Sequence, residues 1–333
     1  MTGTRALVTG GGGFVGRGIV SALLREGCAV RSLTRSDYPE LAAAGVETFR
    51  GDVADAEAVR RAVAGCGLVF HVAAKVGAAG AYEDFQRTNV LGTQNVLDAC
   101  RSEGAGRLVF TSTPSVVFSH EDLEGVDESQ PYPDHYDAFY PQTKAEAERM
   151  VLAANAPELR TLSLRPHIVW GPGDTSLLPR LRARAAKLKR IVTPGPAKKM
   201  DITFIDDAVA AHLAAARALA ERPELVGGKA YFISSGEPVE IWPFIDAVLE
   251  ATGMQPVRGS APRAVAMAAG WVFEVVHGLR GAPGEPRMSR WIVRELTTSH
   301  WFDISAARRE LGYVPQVSLE DGLARLAESG DWG

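Results

Sequence analysis

Tyr140 and Lys144, in the run Tyr140-Pro141-Gln142-Thr143-Lys144, are the residues of this chain best spaced for proton chemistry. Three residues separate them, so on a helix they stand one turn apart on one face. Pro141 lacks an N–H and is tolerated only in a helix's first turn, which puts Tyr140 at the helix entrance, near the N-cap. An ammonium beside a phenol favours the phenolate and lowers its pKa, so the pair is expected to exchange a proton near neutral pH. A glycine-rich turn, Thr9-Gly10-Gly11-Gly12-Gly13-Phe14-Val15-Gly16, opens the chain, and a hydroxyl cluster, Thr111-Ser112-Thr113, lies between the two. Together they describe a nicotinamide-dependent enzyme that interconverts a secondary alcohol and a ketone.

Those residues need a scaffold, and the pattern around them supplies one. Strands are expected over 5–9, 29–34, 46–50, 68–72, 107–111 and 161–164, and helices over 15–25, 56–64, 85–102 and 143–153. Alternation at this spacing predicts an α/β fold with a Rossmann-type doubly wound parallel sheet. Its strands are apolar runs rather than strict alternations, as strands covered on both faces should be. The expected dinucleotide-binding domain spans 1–172. After Gly171-Pro172-Gly173 the pattern turns helical and basic over 177–190, with short strands near 202–204 and 230–233. Residues 173–333 therefore read as a smaller, mostly helical substrate lobe, discontinuous because some segments return to the first domain. It is expected over the carboxyl ends of the strands, where open α/β sheets bind ligands.

At 333 residues the chain can build one large domain or two lobes around a substantial core. Hydrophobic content of 46% and charged content of 23% suit a soluble globular protein, and a net charge of −4 gives no reason to expect nucleic acid as a partner. Cys28, Cys66 and Cys100 show no metal-binding spacing, and their odd count argues against a disulfide framework. Reduced, packed thiols and no metal site are expected. The first strand begins almost at once, with no signal peptide ahead of it, so the expected location is the cytoplasm. Residues 264–276 are almost wholly apolar, with Glu274 the only charge. The run is too short to span a bilayer, which takes about 20 apolar residues. A core helix is expected there; the alternative is a flap over a lipid-like substrate or a peripheral membrane contact.

Gly10, Gly13 and Gly16 give G-x-x-G-x-x-G, and Gly11, Gly13 and Gly16 also satisfy G-x-G-x-x-G. Glycines there let the backbone approach a pyrophosphate at the helix N-terminus. The turn follows an expected strand and precedes an expected helix, as a dinucleotide fingerprint requires. The end of the second strand should choose the cofactor: NAD enzymes usually place an acid there, NADP enzymes a cation for the 2′-phosphate. The chain reads Leu33-Thr34-Arg35-Ser36, so NADP(H) is preferred, with NAD(H) as the alternative. Asp52, after Gly51, could accept from the adenine amino group or cap the next helix. His71-Val72-Ala73-Ala74 closes the fourth strand with small residues where a cofactor backbone could lie. His71 itself reads equally well as a packed, hydrogen-bonded group or a catalyst.

In this company the tyrosine and lysine give the chain a close resemblance to the extended short-chain dehydrogenase/reductase family, over nearly its whole length. Thr9-Gly10-x-x-Gly13-Phe14-Val15-Gly16, Gly51-Asp52, Asn89-Val90-x-Gly92-Thr93, Tyr140-x-x-x-Lys144, Leu164-Arg165-Pro166 and Phe204-Ile205-Asp206-Asp207 all resemble its recurrent motifs. The run 140–148 looks most like the 3β-hydroxysteroid dehydrogenase branch. By this resemblance Tyr140 is the general acid in reduction and the general base in oxidation. Lys144 would bind the nicotinamide ribose and lower the tyrosine pKa. Thr113, aligned with the family's catalytic Ser/Thr, would hydrogen-bond the substrate oxygen with Ser112 in support. The implied cofactor contacts are Gly10, Gly13, Phe14, Val15, Gly16, Arg35, Asp52, Val53, Ala73, Lys144 and Pro166. A homodimer formed through two sheet-flanking helices is also implied.

Two substrate classes compete within the branch. Gly236-Glu237-Pro238, the run 298–302, the run 312–318 and Ser36-Asp37-Tyr38-Pro39-Glu40-Leu41 resemble the 2-alkyl-3-oxoalkanoate reductases of olefin synthesis. Tyr140-Pro141 and Arg165-Pro166-His167 resemble sterol-4-carboxylate 3-dehydrogenases instead. Each substrate carries an oxygen on the carbon β to a carboxylate and has a large apolar body. Arg35 favours reduction, because NADPH is the usual biosynthetic reductant. His167 and Arg180 are the expected substrate contacts, with Arg180 or Arg182 as the cation for the carboxylate; a solvated basic face with Arg184, Lys187, Lys189 and Arg190 is the competing reading. Sugar-nucleotide epimerases and dehydratases share the motifs and form a minor alternative. A non-catalytic NADP-binding scaffold would have no use for Tyr140, Lys144 and Thr113 together.

Overall fold

A computed structural model describes residues 3–77, 80–118, 121–185, 188–280, 286 and 288–330. Its centre is a seven-stranded, wholly parallel sheet in the spatial order Ala230–Ile233, Arg160–Pro166, Arg107–Thr111, Leu68–His71, Arg5–Thr9, Ala29–Thr34, Glu47–Arg50. The strand order reverses between Arg5–Thr9 and Leu68–His71, and a crevice opens outside the carboxyl ends there.

Both sheet faces are covered, which explains why its strands are continuous apolar runs. In the first strand Ala6 and Val8 face one way, into a core shared with the helix Phe14–Arg25 and the helix Ile205–Glu221. Leu7 faces the other way, toward the helices Ala56–Val63, Gly92–Glu103 and Phe139–Ala153. The helix Ala56–Val63 starts where Asp55 accepts from the N–H groups of Glu57 and Ala58, at 3.0 and 3.2 Å. Cys28, Cys66 and Cys100 are buried free thiols in these cores.

The C-terminal half differs from expectation in three places. The strand 230–233, read as part of the smaller lobe, is an edge strand of the main sheet, paired with Arg160–Pro166. The basic helix spans Leu177–Arg184, and Arg190 lies in a separate strand, Arg190–Val192. Residues 186–187 of the expected helix, including Lys187, lie outside the described residues. The apolar run belongs to a long helix, Arg263–Arg280, which is not a core helix. Only one side packs: Ala266 joins Ile191 and Val293 in a small cluster, and a Cβ on Gly270 would stand 3.1 Å from the Arg290 nitrogen. The opposite side is open, with Val265, Trp271, Val272, Val275 and Leu279 exposed. Their spacing is that of one helical stripe, so an apolar composition did not by itself specify burial.

The short strands Lys199–Met200, Val239–Glu240, His300–Phe302 and Leu123–Val126 form a second sheet. Asp207, in the first turn of the helix Ile205–Glu221, holds a later segment to that helix, accepting from the N–H groups of Gln316 at 2.8 Å and Val317 at 3.2 Å. Two of the sequence motifs, 204–207 and 312–318, thus meet in one contact.

Candidate active site

The glycine turn is shaped by contacts that leave no room for a side chain. Gly10 has φ +73°, and a Cβ there would meet the Ala73 Cα at 3.0 Å. A Cβ on Gly16 would stand 2.2 Å from the Gly10 carbonyl oxygen. The helix Phe14–Arg25 follows with no side-chain cap, so its first-turn N–H groups remain for an anion. Thr9 holds the crossing of the first and fourth strands: its hydroxyl accepts from the N–H groups of Val72 and Ala73, at 3.1 and 3.2 Å. The same hydroxyl lies 2.8 Å from His71 Nδ1. Thr93 donates its own proton to the Asn89 carbonyl, so it accepts from His71 Nε2 at 3.0 Å. His71 is therefore the neutral Nε2–H tautomer, and burial pushes its pKa down to about 3. Of the two roles open to it, His71 has the packed one.

A groove of about 680 Å³ runs from this turn across the sheet. Gly10, Gly13, Phe14, Val15, Gly16, Arg35, Asp52, Val53, Ala73 and Pro166 all line it. Arg35 is exposed at one end. Asp52 does not cap the next helix, which Asp55 does. It accepts instead from the Ala54 N–H at 3.0 Å and pairs with Arg87 at 3.1 Å. These residues suit a dinucleotide with its pyrophosphate on the helix N-terminus, because an added Cβ at Gly10 or Gly16 would close the cradle.

At the other end lie Thr111, Ser112, Thr113 and Tyr140. Tyr140 stands in the first turn of the helix Phe139–Ala153, whose third residue is Pro141. Its hydroxyl faces Thr113, whose side chain favours the phenolate and also takes the Ser115 N–H at 3.3 Å. The phenol pKa is not lowered as its neighbour's charge predicts. Burial pushes it up to about 12, and the charge of Glu295 adds to the rise. Lys144 is 2% exposed, donates to the Thr111 carbonyl at 2.6 Å and sits 3.9 Å over the Phe110 ring. Burial brings its pKa down to about 7, opposed by Glu148. Tyr140 accordingly keeps its proton at neutral pH, a state suited to donating it to a ketone oxygen. Ser112 Oγ is buried beside Glu148 without ordinary hydrogen-bond geometry to any described residue.

The model of one protein family, the 3-beta hydroxysteroid dehydrogenase/isomerase family, matches residues 7–261. The chain belongs to that family. It is 46% identical to a 2-alkyl-3-oxoalkanoate reductase of Stenotrophomonas maltophilia (strain K279a), over 98% of this chain and 99% of the relative. It is 31% identical to the human sterol-4-alpha-carboxylate 3-dehydrogenase, decarboxylating, over 98% and 88% of the two chains. Among solved structures it resembles MoeE5 in complex with UDP-glucose and NAD, with a TM-score of 0.72, 25% identity and 98% of both chains covered. This member of the 3-beta hydroxysteroid dehydrogenase/isomerase family is an NAD(P)-dependent oxidoreductase with a Rossmann-type fold.

Several residues of this family member were not singled out by spacing. Glu148 forms a buried ion pair with Arg165, at 2.7 Å, and also accepts from Tyr132 and Ser163, each at 2.7 Å. Asn89 joins the Lys75 backbone to Thr143, accepting at 2.8 Å and donating at 3.0 Å, from a wide helical turn over Gln86–Leu91. That turn interrupts the helix expected over 85–102. Ile168 lines the groove with φ +38°, a strained geometry for a β-branched residue. Trp291 and Glu295 enter from the helix Arg290–Glu295, more than a hundred residues beyond the tyrosine.

His167, an expected substrate contact, does not line the groove. Its Nε2 donates to His300 Nδ1 at 2.6 Å, since His300 Nε2 is already committed to the Glu295 carbonyl at 2.8 Å. The pair is buried, and burial holds both imidazoles neutral. Arg180 lines the groove from the helix Leu177–Arg184; Arg182 does not. Among the described residues no cluster suited to a metal ion is present.

Proposed function

We propose that this enzyme reduces the 3-ketone of a 2-alkyl-3-oxoalkanoate, with NADPH as the preferred cofactor. The observation that carries the reading is that Tyr140 and Thr113 face each other in the same groove that starts at the glycine turn. The full-length similarity to a 2-alkyl-3-oxoalkanoate reductase supports the choice of substrate. Bound NADPH supplies the hydride for the ketone carbon. Thr113 holds the ketone oxygen, and Tyr140 delivers the proton to it. Lys144 binds the nicotinamide ribose from its position on the next turn. Gly10, Gly13, Phe14, Val15 and Gly16 receive the pyrophosphate, Arg35 the 2′-phosphate, and Asp52, Val53, Ala73 and Pro166 the flanks of the cofactor. Ser112 supports the hydroxyl cluster from behind, and Arg180 stands at the mouth as a cation for the incoming acid.

The sterol-4-carboxylate dehydrogenases provide a second reading, favoured by the similarity to the human enzyme. It keeps every role above and reverses the direction. Dinucleotide binding is assigned to residues 1–172 and substrate binding to 173–333, with the strand Ala230–Ile233 returned to the sheet. We assign the protein to the cytoplasm as a homodimer. Among the described residues no helix is long and apolar enough to cross a membrane. The outward stripe of Arg263–Arg280 suits a peripheral contact with a lipid surface, with Arg263 at its first residue for an anionic headgroup.

The test is nicotinamide absorbance with NADPH or NADH and a racemic 2-alkyl-3-oxo long-chain acid. Rapid NADPH oxidation, lost in Tyr140→Phe, is expected. Turnover only of a 3β-hydroxysterol with oxidised cofactor would move the substrate to the sterol side.

A further inference from the structure

We propose that Glu295 is the specificity-determining residue at the substrate end of the groove, a carboxyl that binds the substrate's carboxylate through one shared proton. The inference rests on the ketoreductase reading and adds the means by which that site recognises an acid.

Glu295 and Trp291, four residues apart on the helix Arg290–Glu295, line the groove on the same side. Ser289 caps this helix through its hydroxyl, which accepts from Ile292 at 3.2 Å, and Glu274 holds its first residue through the Arg290 N–H at 2.7 Å. At the other end the Glu295 carbonyl is fixed by His300, and His300 by His167. The backbone is thus pinned at both ends, while among the described residues the Glu295 carboxyl makes no hydrogen bond or ion pair. It faces Tyr140 closely enough for its charge to raise the phenol's pKa.

In a 3-oxo acid a single carbon separates the ketone from the carboxylate. A ketone oxygen seated on Tyr140 and Thr113 therefore brings the carboxylate into the space that Glu295 borders. Two ionised carboxylates cannot share a desolvated site; one proton stays between them, and an O–H donating to a carboxylate is among the stronger hydrogen bonds. Burial already lifts the Glu295 pKa to about 7, so the protonated form is at hand. The charged or titratable groups around it are Tyr140 from the helix Phe139–Ala153, Arg180 and Asp174 across the groove, and Arg294 on its own helix, paired with Asp137. His300 meets only its carbonyl. Acid binding should therefore need a proton that is present below neutral pH and lost above it.

The experiment follows turnover of a 2-alkyl-3-oxo acid and its methyl ester with NADPH, from below to well above neutral pH. The native enzyme, Glu295→Gln and Glu295→Ala are compared, with NADPH binding as the check on folding. In the native enzyme KM for the acid should rise above neutral pH by about tenfold per unit, and KM for the ester should not. Lys144 also titrates near neutrality, but it acts on both substrates alike and cancels in that comparison. Glu295→Gln keeps an uncharged donor and should flatten the acid profile. Glu295→Ala should raise KM for the acid at every pH, with kcat moving far less. Calorimetry in buffers of different ionisation enthalpy should show about one proton taken up with the acid above neutrality, and none in Glu295→Gln. Coincident acid and ester profiles, or an unchanged profile in Glu295→Gln, overturn the proposal. If neither acid nor ester is turned over, the ketoreductase reading fails, and this inference with it.

Discussion

The glycine-turn half of the molecule and the helix Arg290–Glu295 meet at one groove, and the cap that this helix forms with its packing partner Arg263–Arg280 is built by different rules. In the first, several motif residues are committed to more than one partner. Thr9 receives two N–H groups while contacting His71, Thr93 serves both His71 and Asn89, and Gly16 has a carbonyl where its side chain would be. In the cap, one helix packs on one side through Ala266 and Gly270 and leaves Leu279 83% exposed on the other. Glu295 reaches into the groove with its carboxyl uncommitted. The sheet half holds the groups common to the chemistry, and the proposed role of Glu295 gives the cap the choice of substrate.

That contrast predicts all-or-none effects in the first region. Gly16→Ala should abolish cofactor binding and lower stability by about 2 kcal/mol or more, because the backbone it meets cannot turn aside. Calorimetric titration with NADPH and the thermal midpoint would show both. Tyr140→Phe removes the proton donor and should lower kcat by about a thousandfold while leaving NADPH affinity nearly intact. A Gly16→Ala enzyme that still binds NADPH would erase the distinction between the regions.

The two regions should also respond to pH with opposite signs. His71 and His212, the latter on the helix Ile205–Glu221 with its Nε2 2.8 Å from the Thr111 hydroxyl, are brought down to about 3 and about 4 by burial and stay neutral in the fold when the unfolded chain is already protonated. Their contribution is complete above the unfolded value of 6.5 and fades as pH falls below it. Glu148 behaves alike at lower pH, since Arg165 holds its pKa down. Glu295 is raised from 4.5 to about 7, so the fold resists its ionisation and the cap loses stability as pH rises through that interval. Hydrogen exchange at several pH values should show the sheet protected least in acid and the helix Arg290–Glu295 least near neutrality. A common trend in both regions would remove the distinction.

The same contrast explains what was legible in the sequence. The parallel sheet and the glycine turn were readable because strand periodicity and steric exclusion act between near neighbours. Tyr140 and Lys144 were readable as one helix turn. Asn89, Thr93 and Glu148 sat in or beside recognised motifs, yet their partners, Lys75, His71 and Arg165, are separated in sequence and meet only in the fold. Residues 264–276 misled because composition cannot distinguish a buried helix from one with an open apolar face. The tyrosine pKa misled for a related reason: spacing foretold the lysine's turn of helix, while burial and Glu295 govern the phenol.

Arg35 supplies a smaller, graded test in the sheet half. It lies exposed at the groove's end, and its replacement by alanine should weaken NADPH by about ten- to hundredfold with little change for NADH, the size of losing charged hydrogen bonds to one phosphate. Equal weakening of both cofactors would mean that this end does not read the 2′-phosphate.

The smallest effect belongs to the cap's outer face. Replacing Trp271 and Leu279 with glutamate should change stability by only about 0.5 kcal/mol each, since neither side chain is enclosed. Turnover of a short, freely soluble 3-oxo acid should be unchanged, because the stripe points away from the groove. Partition onto vesicles carrying anionic lipid should nevertheless drop, and the native Trp271 emission should shift to the blue on those vesicles while the variant has no such residue to report. A variant that partitions as well as the native enzyme would separate the apolar stripe from lipid contact. It would leave the cap's inner face, with Trp291 and Glu295, as the part of this region that distinguishes substrates.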